Sequence, residues 1–408
     1  MAVTVEPFSL TTGLRSAPVP WSVVNPVPAF NTVGSWSVTC PAVPAVQALA
    51  VFDTDGTLVP FGVWIDWNGV WSFTGKAEAA TVDRTIDQDS GALIETITFS
   101  GPDMTSVLAE RIAYPDPALA WSEQTIASVT AAGAAETVIK GLIAANCVTA
   151  GDSARNYPLL TVAPDLGRGG TCTWTTATPD PSDDTAPAVT VSDSLMDIWR
   201  AITAQLATPI GITVDLVGTQ LVADCYVPRD LSGHAVFSAE LGNLSDASLN
   251  VINPAANAIL TQSAVDGAPF TETAGSGSGP WRRIEQFDDE SSSTAAADVT
   301  AAQAQALSDG DTQTTLSATA VDLPRLRFGS DGVGITGYRL GDRVAVDLYD
   351  DLTYTDIISA VTLTADATQQ PYSETVVPSI GTTPDGDTSI SAALAQQLTA
   401  IERQIRRS

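Results

Sequence analysis

Residues 48–77 read ALAVFDTDGTLVPFGVWIDWNGVWSFTGKA. An apolar run enters Asp-x-Asp-Gly-Thr at Asp53–Thr57, and aromatic runs follow it. Such a segment begins either a catalytic loop at the end of a parallel strand or a series of hairpins. The two readings imply different folds, so the surroundings of Asp53 decide the class of the chain.

Read as chemistry, VFDTDGTL (51–58) has the form of the start of a haloacid-dehalogenase-like phosphatase. Asp53 would attack phosphorus and Asp55 would protonate the leaving group. Lys140 could balance charge, and Asp342 with Asp347 in GDRVAVD (341–347) could hold magnesium. The context speaks against this. The motif needs helical crossovers that gather its ligands at the carboxyl ends of parallel strands. Residues 54–112 instead carry the pairs Asp55-Gly56 and Asn68-Gly69, which supply the positive φ angles of tight hairpins. Asp342 opens a strand, and Asp347 falls on the face opposite Val344, Val346 and Leu348, because alternate strand residues point to opposite faces. Aspartate also favours turns through its own backbone hydrogen bonds. Asp53 and Asp55 therefore read as turn residues, and Trp64, Trp67 and Trp71 as half-buried strand positions of a β-meander.

The rest of the composition reads as that of a globular chain. The chain has 408 residues, long enough for several domains, with 44% apolar and 16% charged residues, a globular balance. Eighteen basic residues against 47 acidic ones leave a formal charge of −29, which disfavours binding of phosphate backbones and anionic membranes. The scarcity of lysine (Lys76 and Lys140 only) beside abundant alanine and arginine fits a GC-rich coding sequence. MAVTVEPFSL lacks the pattern of a signal peptide, and no apolar run is long enough to span a membrane, so membrane insertion is not expected. Cys40, Cys147, Cys172 and Cys225 lie far apart without a CxxC spacing and read as buried free thiols.

Along the chain, residues 1–115 read as β-structure, with SVLAERIAYPDP (106–117) as its last strand. Residues 116–230 are mixed α/β. GAAETVIKGLIAANC (133–147) is an amphipathic helix, and SDSLMDIWRAITAQLA (192–207) is a second one with Ser194 and Asp197 as a capping box. GITVDLV and LVADCYV form a hairpin around Gly218-Thr219. Residues 231–377 return to β with a surface helix inserted at ADVTAAQAQALSDG (297–310), and a hairpin turns at Asp350-Asp351. After a polar link, residues 378–408 close in an amphipathic helix. There Leu394, Leu398, Ile401 and Ile405 form a heptad seam suited to self-association.

Other catalytic constellations are thin. His234 is the one histidine, so serine and cysteine triads would all have to use it. No metal site or cofactor site is expected, and DTDG is too short for a calcium-binding loop. A two-carboxylate glycosidase has no spacing rule and stays open. So does a carbohydrate-binding adhesin that stacks sugars on Trp64, Trp67 and Trp71.

Several stretches, in order, resemble a family of tail hub proteins (minor tail or baseplate hub proteins) of long-tailed phages infecting high-GC bacteria. They are GSWSVTCP (34–41), WSFTGKA (71–77), LAERIAYPDP (108–117), GAAETVIKGLIAANC (133–147), YVPRDLSGHAVFSAELGNLSDASLNVINPAANAIL (226–260) and YRLGDRVAVDLYDDLTYTDIISAVTLT (338–364). The resemblance implies a mainly β, α+β fold in which two small β-barrel domains flank the α/β segment. It also implies a homotrimer whose barrels make a pseudo-sixfold ring continuing the tail tube. Gly341 and Asp342 would form the turn that opens a barrel strand. Implied partners are the distal tail protein, the tape-measure protein and tail-tip or receptor-binding proteins. Viral DNA would pass through an acidic channel without specific binding. The implied place is the virion tail tip, after assembly in the host cytoplasm, with no enzymatic role.

Overall fold

The computed structural model describes residues 3–42, 58–86, 93–124, 128–177, 193–252, 256–274, 283–291, 293–294, 296–309, 313–329, 336–349, 352–369 and 372–381. Asp53, Asp55, Gly56, GSGSGP (275–280), the Asp350-Asp351 turn and the seam Leu394, Leu398, Ile401 and Ile405 lie outside the described residues.

The chain begins with β1 (Thr4–Phe8), β2 (Val23–Val27), β3 (Ser35–Pro41), β4 (Gly62–Trp67), β5 (Trp71–Lys76), β6 (Ala79–Ile86), β7 (Leu93–Pro102) and the short helix α1 (Ser106–Ala109). The middle holds β8 (Ser128–Ala134), α2 (Ala135–Ile143), β9 (Leu160–Val162), β10 (Thr171–Ala177), α3 (Leu195–Ala204), β11 (Gly211–Val217) and β12 (Gln220–Tyr226). Next come β13 (Val236–Ser238), β14 (Leu244–Ile252), β15 (Ala258–Ser263), β16 (Phe270–Ala274), β17 (Glu285–Glu290) and α4 (Ala296–Asp309). The last strands are β18 (Gln313–Ala320), β19 (Leu326–Phe328), β20 (Thr336–Tyr338), β21 (Arg343–Tyr349), β22 (Leu352–Asp366) and β23 (Ser373–Ile380). Strands dominate, but residues 31–112 are not the expected meander: the hairpin of β4 and β5 pairs with β1, and β3 pairs with β7.

Two compact units result, one of residues up to Asp246 with Ala318–Gly381, the other of Ala247–Ser317. In the larger unit one sheet runs β23-β22-β2-β3-β7-β6. Alternation builds it: Trp36, Val38 and Cys40 of β3 are buried, as are Ile97 and Phe99 of β7, while the residues between them are half-exposed. Val23 and Val24 pair with Asp366 and Ala365, so the first and last β-stretches of the chain share this sheet. The two stretches had been expected as separate closed barrels. Among the described residues no sheet closes on itself. The long β22 makes the joint: its first half pairs with β21 and its second with β23, with a register shift between Ile358 and Ala360.

The α/β segment has its own core. Ile139 and Ile143 of α2, Trp199 and Ile202 of α3, and Val214 of β11 pack together, joined by Phe8 from β1 and Leu108 from α1. Ser194 caps α3 by accepting from the Asp197 N–H at 3.1 Å, and its hydroxyl donates to the Asp197 carboxylate at 2.7 Å. The sequence pattern for α2 continues as a π-helical turn, Ala144–Val148.

One expected strand is corrected: Ser106–Ala109 is helical. The Glu110 N–H donates to the Ser106 carbonyl at 3.0 Å, the i to i+4 bond of a helical turn, and Ser106, Val107 and Leu108 are all buried. Asp103 starts the turn by accepting from the Thr105 N–H at 3.0 Å.

In the smaller unit β15 lies between antiparallel β16 and parallel β17. Gln303 of α4 donates to Thr261 at 3.0 Å and Thr271 at 2.8 Å and accepts from Thr273 at 3.0 Å. A buried amide thereby fastens the helix to one face of this sheet.

Candidate assembly surface

The edge strand β6 and its partner β7 carry an exposed apolar surface. Pairing sets Val82 opposite Ile97, Arg84 opposite Glu95 and Ile86 opposite Leu93. Alternation then places Ala80, Val82, Arg84 and Ile86 on one face with Phe99, Ile97, Glu95 and Leu93. That face begins in the core, where Ile97 and Phe99 are buried, and runs outward past it. Val82, Ile86 and Leu93 are 55%, 65% and 50% exposed. The Arg84–Glu95 ion pair, 2.7 Å, lies among them. The result is an apolar stripe continuous with the core and uncovered among the described residues. β6 is the end strand of its sheet, so its outer hydrogen-bonding groups face away from the ladder.

Of the turn residues expected from the sequence, Asn68, Gly69, Gly341 and Asp342 lie among the described residues. Asn68 and Gly69 have φ of 58° and 71°, and the Val70 N–H donates to the Trp67 carbonyl at 3.1 Å. These are the two central positions of a tight turn joining β4 and β5. The ladder resumes with Trp67 opposite Trp71, so Val70 is one residue more than a two-residue hairpin needs. Gly341 has φ of 79°, and a Cβ there would fall 2.3 Å from the Phe30 ring.

Asp342 is buried, with no role for magnesium visible in its contacts. Its carboxylate accepts from the Arg229 N–H at 2.7 Å, the Arg229 guanidinium at 2.7 Å and the Arg339 N–H at 3.0 Å. It is a bracket that holds the segment before β13 against the entry to β21. Asp347 accepts from Thr353 at 2.6 Å instead. Lys140, the other phosphatase candidate, is also engaged: its ammonium donates to Glu136 at 2.6 Å and Asp224 at 2.7 Å. Arg168 joins the same two acids, and its hydrogen bonds, foremost, hold the Glu136 carboxyl far below the usual range. This four-residue network ties α2 to the loop before β10 and to β12.

The sugar-stacking reading is not supported by the geometry. Trp67 is 5% exposed, the Arg15 guanidinium covers the Trp64 ring at 4.2 Å, and Trp71 packs edge-on against Phe328 at 5.1 Å. His234 is exposed, and its backbone N–H donates to Leu231 at 2.8 Å. The four cysteines are free and buried, and burial pushes the Cys40 and Cys225 thiols up to about 12. Among the described residues no three His, Cys, Asp or Glu side chains gather as a metal site. Nor is any described helix long and apolar enough to cross a membrane.

The pattern of TVDRTIDQDSGALIETITFSG (81–101) predicts β-structure but does not mark Val82, Ile86 and Leu93 as a surface. Their alternation was visible, but nothing in the sequence says where the core beneath a strand ends.

Residues 20–382 match the family described as Siphovirus ReqiPepy6 Gp37-like protein, and the chain belongs to that family. No curated protein matches it. Among solved structures, the 43 kDa tail protein of prophage MuSo2 from Shewanella oneidensis is similar over 93% of this chain and 96% of its own, at 12% identity and a TM-score of 0.50. The tail protein from Neisseria meningitidis MC58 is similar over 94% and 97%, at 11% identity and a TM-score of 0.47. Prophage tail protein gp18 from Listeria monocytogenes EGD-e is similar over 98% and 99%, at 9% identity and a TM-score of 0.42. At such identities the first of these likenesses is one of fold: a mainly β chain built as a phage tail protein is built.

Proposed function

We propose that this chain is a structural protein of a siphophage tail, and that it forms the tail hub. Three copies would surround the tail axis as a pseudo-sixfold ring that continues the tube at the tail tip. The distal tail protein and tape-measure protein would dock on it, together with receptor-binding proteins. Viral DNA would pass through without specific binding, because a chain of charge −29 repels a polyanion. In this reading acidic residues line the channel, and no bond-making chemistry is required of the chain. The heptad seam of Leu394, Leu398, Ile401 and Ile405 would help hold the copies together.

The observation that carries the proposal is the uncovered apolar stripe of β6 and β7. A stripe continuous with the core and left in water at Val82, Ile86 and Leu93 is the signature of a surface completed by another chain. The membership of a siphovirus family supports the setting. Light scattering and negative-stain microscopy of the purified full chain test it. Threefold rings at three times 42.3 kDa are expected. A chain that stays monomeric, and is absent from the axis of tail particles, would overturn the hub.

A further inference from the structure

A cleft of about 410 Å³ lies in the larger unit, within the size range of small-ligand sites. Trp71, Phe73, Tyr226 and Phe328 line it, and Asp103 and Asp215 reach the same space. Asp103 is 8% exposed. Its oxygens accept from the Gly34 N–H at 2.9 Å and the Thr105 N–H at 3.0 Å, and also from the Thr105 hydroxyl. Asp215 on β11 accepts from Thr213. Neither carboxylate forms an ion pair among the described residues. The charged and titratable groups of the lining are these two acids, Tyr226 and Arg339.

Two carboxylates that form no ion pair among the described residues stand here beside aromatic side chains. Charging either acid there is costly, because burial removes its hydration and, among the described residues, neither is ion-paired. Burial accordingly pushes both up to about 6, and the charge of Asp215 adds to the effect on Asp103. The aromatic rings attract cations through their faces, and their bulk suits a hydrocarbon stem. A bare calcium ion would want six to eight oxygen ligands, more than two carboxylates supply.

We propose that this cleft binds an organic cation, an ammonium or guanidinium group on an aliphatic stem, with Asp103 and Asp215 as its counter-charges and Trp71 and Phe328 against the stem. The cation is either a lysine or arginine side chain inserted by another protein or a free polyamine. The site is independent of the hub reading.

The test titrates the isotopically labelled full chain with three probes and follows the Trp71 indole N–H peak, assigned with Trp71→Phe. The probes are N-acetyl-arginine amide, spermidine and the uncharged N-acetyl-citrulline amide. Saturable shifts with the cations, about tenfold weaker at pH 5 than at pH 7 as the acids protonate, are expected. Calorimetry of the unmutated chain at pH 6 should show proton release on binding. Asp215→Asn or Asp103→Asn, whichever folds, should weaken the cations at least tenfold. Tighter binding of the capped arginine assigns the site to a partner's side chain, and tighter binding of spermidine to a polyamine. Equal binding of the citrulline probe, no saturable shift with either cation, or binding unchanged between pH 5 and pH 7 would overturn the proposal.

Discussion

Glu136 and Arg168 stand 32 residues apart in sequence and meet side by side, Nε donating to Oε2 at 2.9 Å and Nη2 to Oε1 at 2.7 Å. The Glu136 side chain is fully buried, and Lys140 completes its shell one helical turn further on. Removing one partner of a buried pair strands the other charges, at a cost of about 3–5 kcal/mol. Glu136→Ala should therefore lower the denaturation midpoint of the full chain strongly. Arg168→Lys should cost less but still register, because an ammonium cannot reproduce the two parallel hydrogen bonds. Urea unfolding followed by tryptophan fluorescence reads both.

The turn at Asn68-Gly69 gives a smaller, local prediction. Gly69 sits at φ 71°, where a Cβ costs roughly 1–2 kcal/mol. Gly69→Ala should destabilise by about that amount, and Asn68→Gly, also at a positive φ, by much less. Thermal melts of the two variants compare them directly.

The apolar stripe separates folding from assembly. Val82→Lys with Ile86→Lys places charge where the single chain already meets water, so its unfolding free energy should move by no more than about 0.5 kcal/mol per site. Ring formation should be lost. Light scattering beside a thermal melt checks both, and an intact ring in the double variant would remove this stripe from the interface.

Acidity should stabilise this protein before it harms it. Burial pushes Asp103, Asp215 and Asp322 up to about 6, above their unfolded value of 3.8. Between those values the folded chain binds more protons than the unfolded one, so their stabilisation is complete below about 4 and lost as pH rises through 6. For Asp103 the difference is on the order of 2–3 kcal/mol. Glu136 and Asp224 act oppositely, since their depressed values contribute stability above the unfolded range that is lost in stronger acid. The melting temperature should rise from pH 7.5 to about pH 5 and fall again below pH 4. Asp103→Asn should flatten the first limb, which calorimetry across the range would show.

The C-terminal seam gives the last prediction. A chain lacking residues 389–408 should fold but form trimers less readily, because two heptads of Leu394, Leu398, Ile401 and Ile405 would no longer assist. Unchanged trimer mass by light scattering would remove the seam from the assembly.

Much of this was legible in the chain. Alternation in GSWSVTCP announced the buried face of β3, and the spacing of Val138, Ile139, Leu142 and Ile143 announced the inner face of α2. Asn68-Gly69 announced its hairpin, and Ser194 with Asp197 the start of α3. These signals are local: a side chain's period, a φ angle or a cap depends on residues within one or two turns of it.

Which strands pair, and where a buried face stops, are not local properties. Backbone ladders have the same chemistry in every strand, so nothing in VVNPV says that Val24 will lie opposite Ala365. The sequence by itself determined a mainly β chain with two amphipathic helices in its middle segment. Tertiary structure alone decided that β2 and β22 share a sheet, that Val82 and Ile86 overrun their core, and that Asp103 and Asp215 face one cleft. The reason is that packing selects among ladders of nearly equal backbone energy, and that selection involves the whole chain at once.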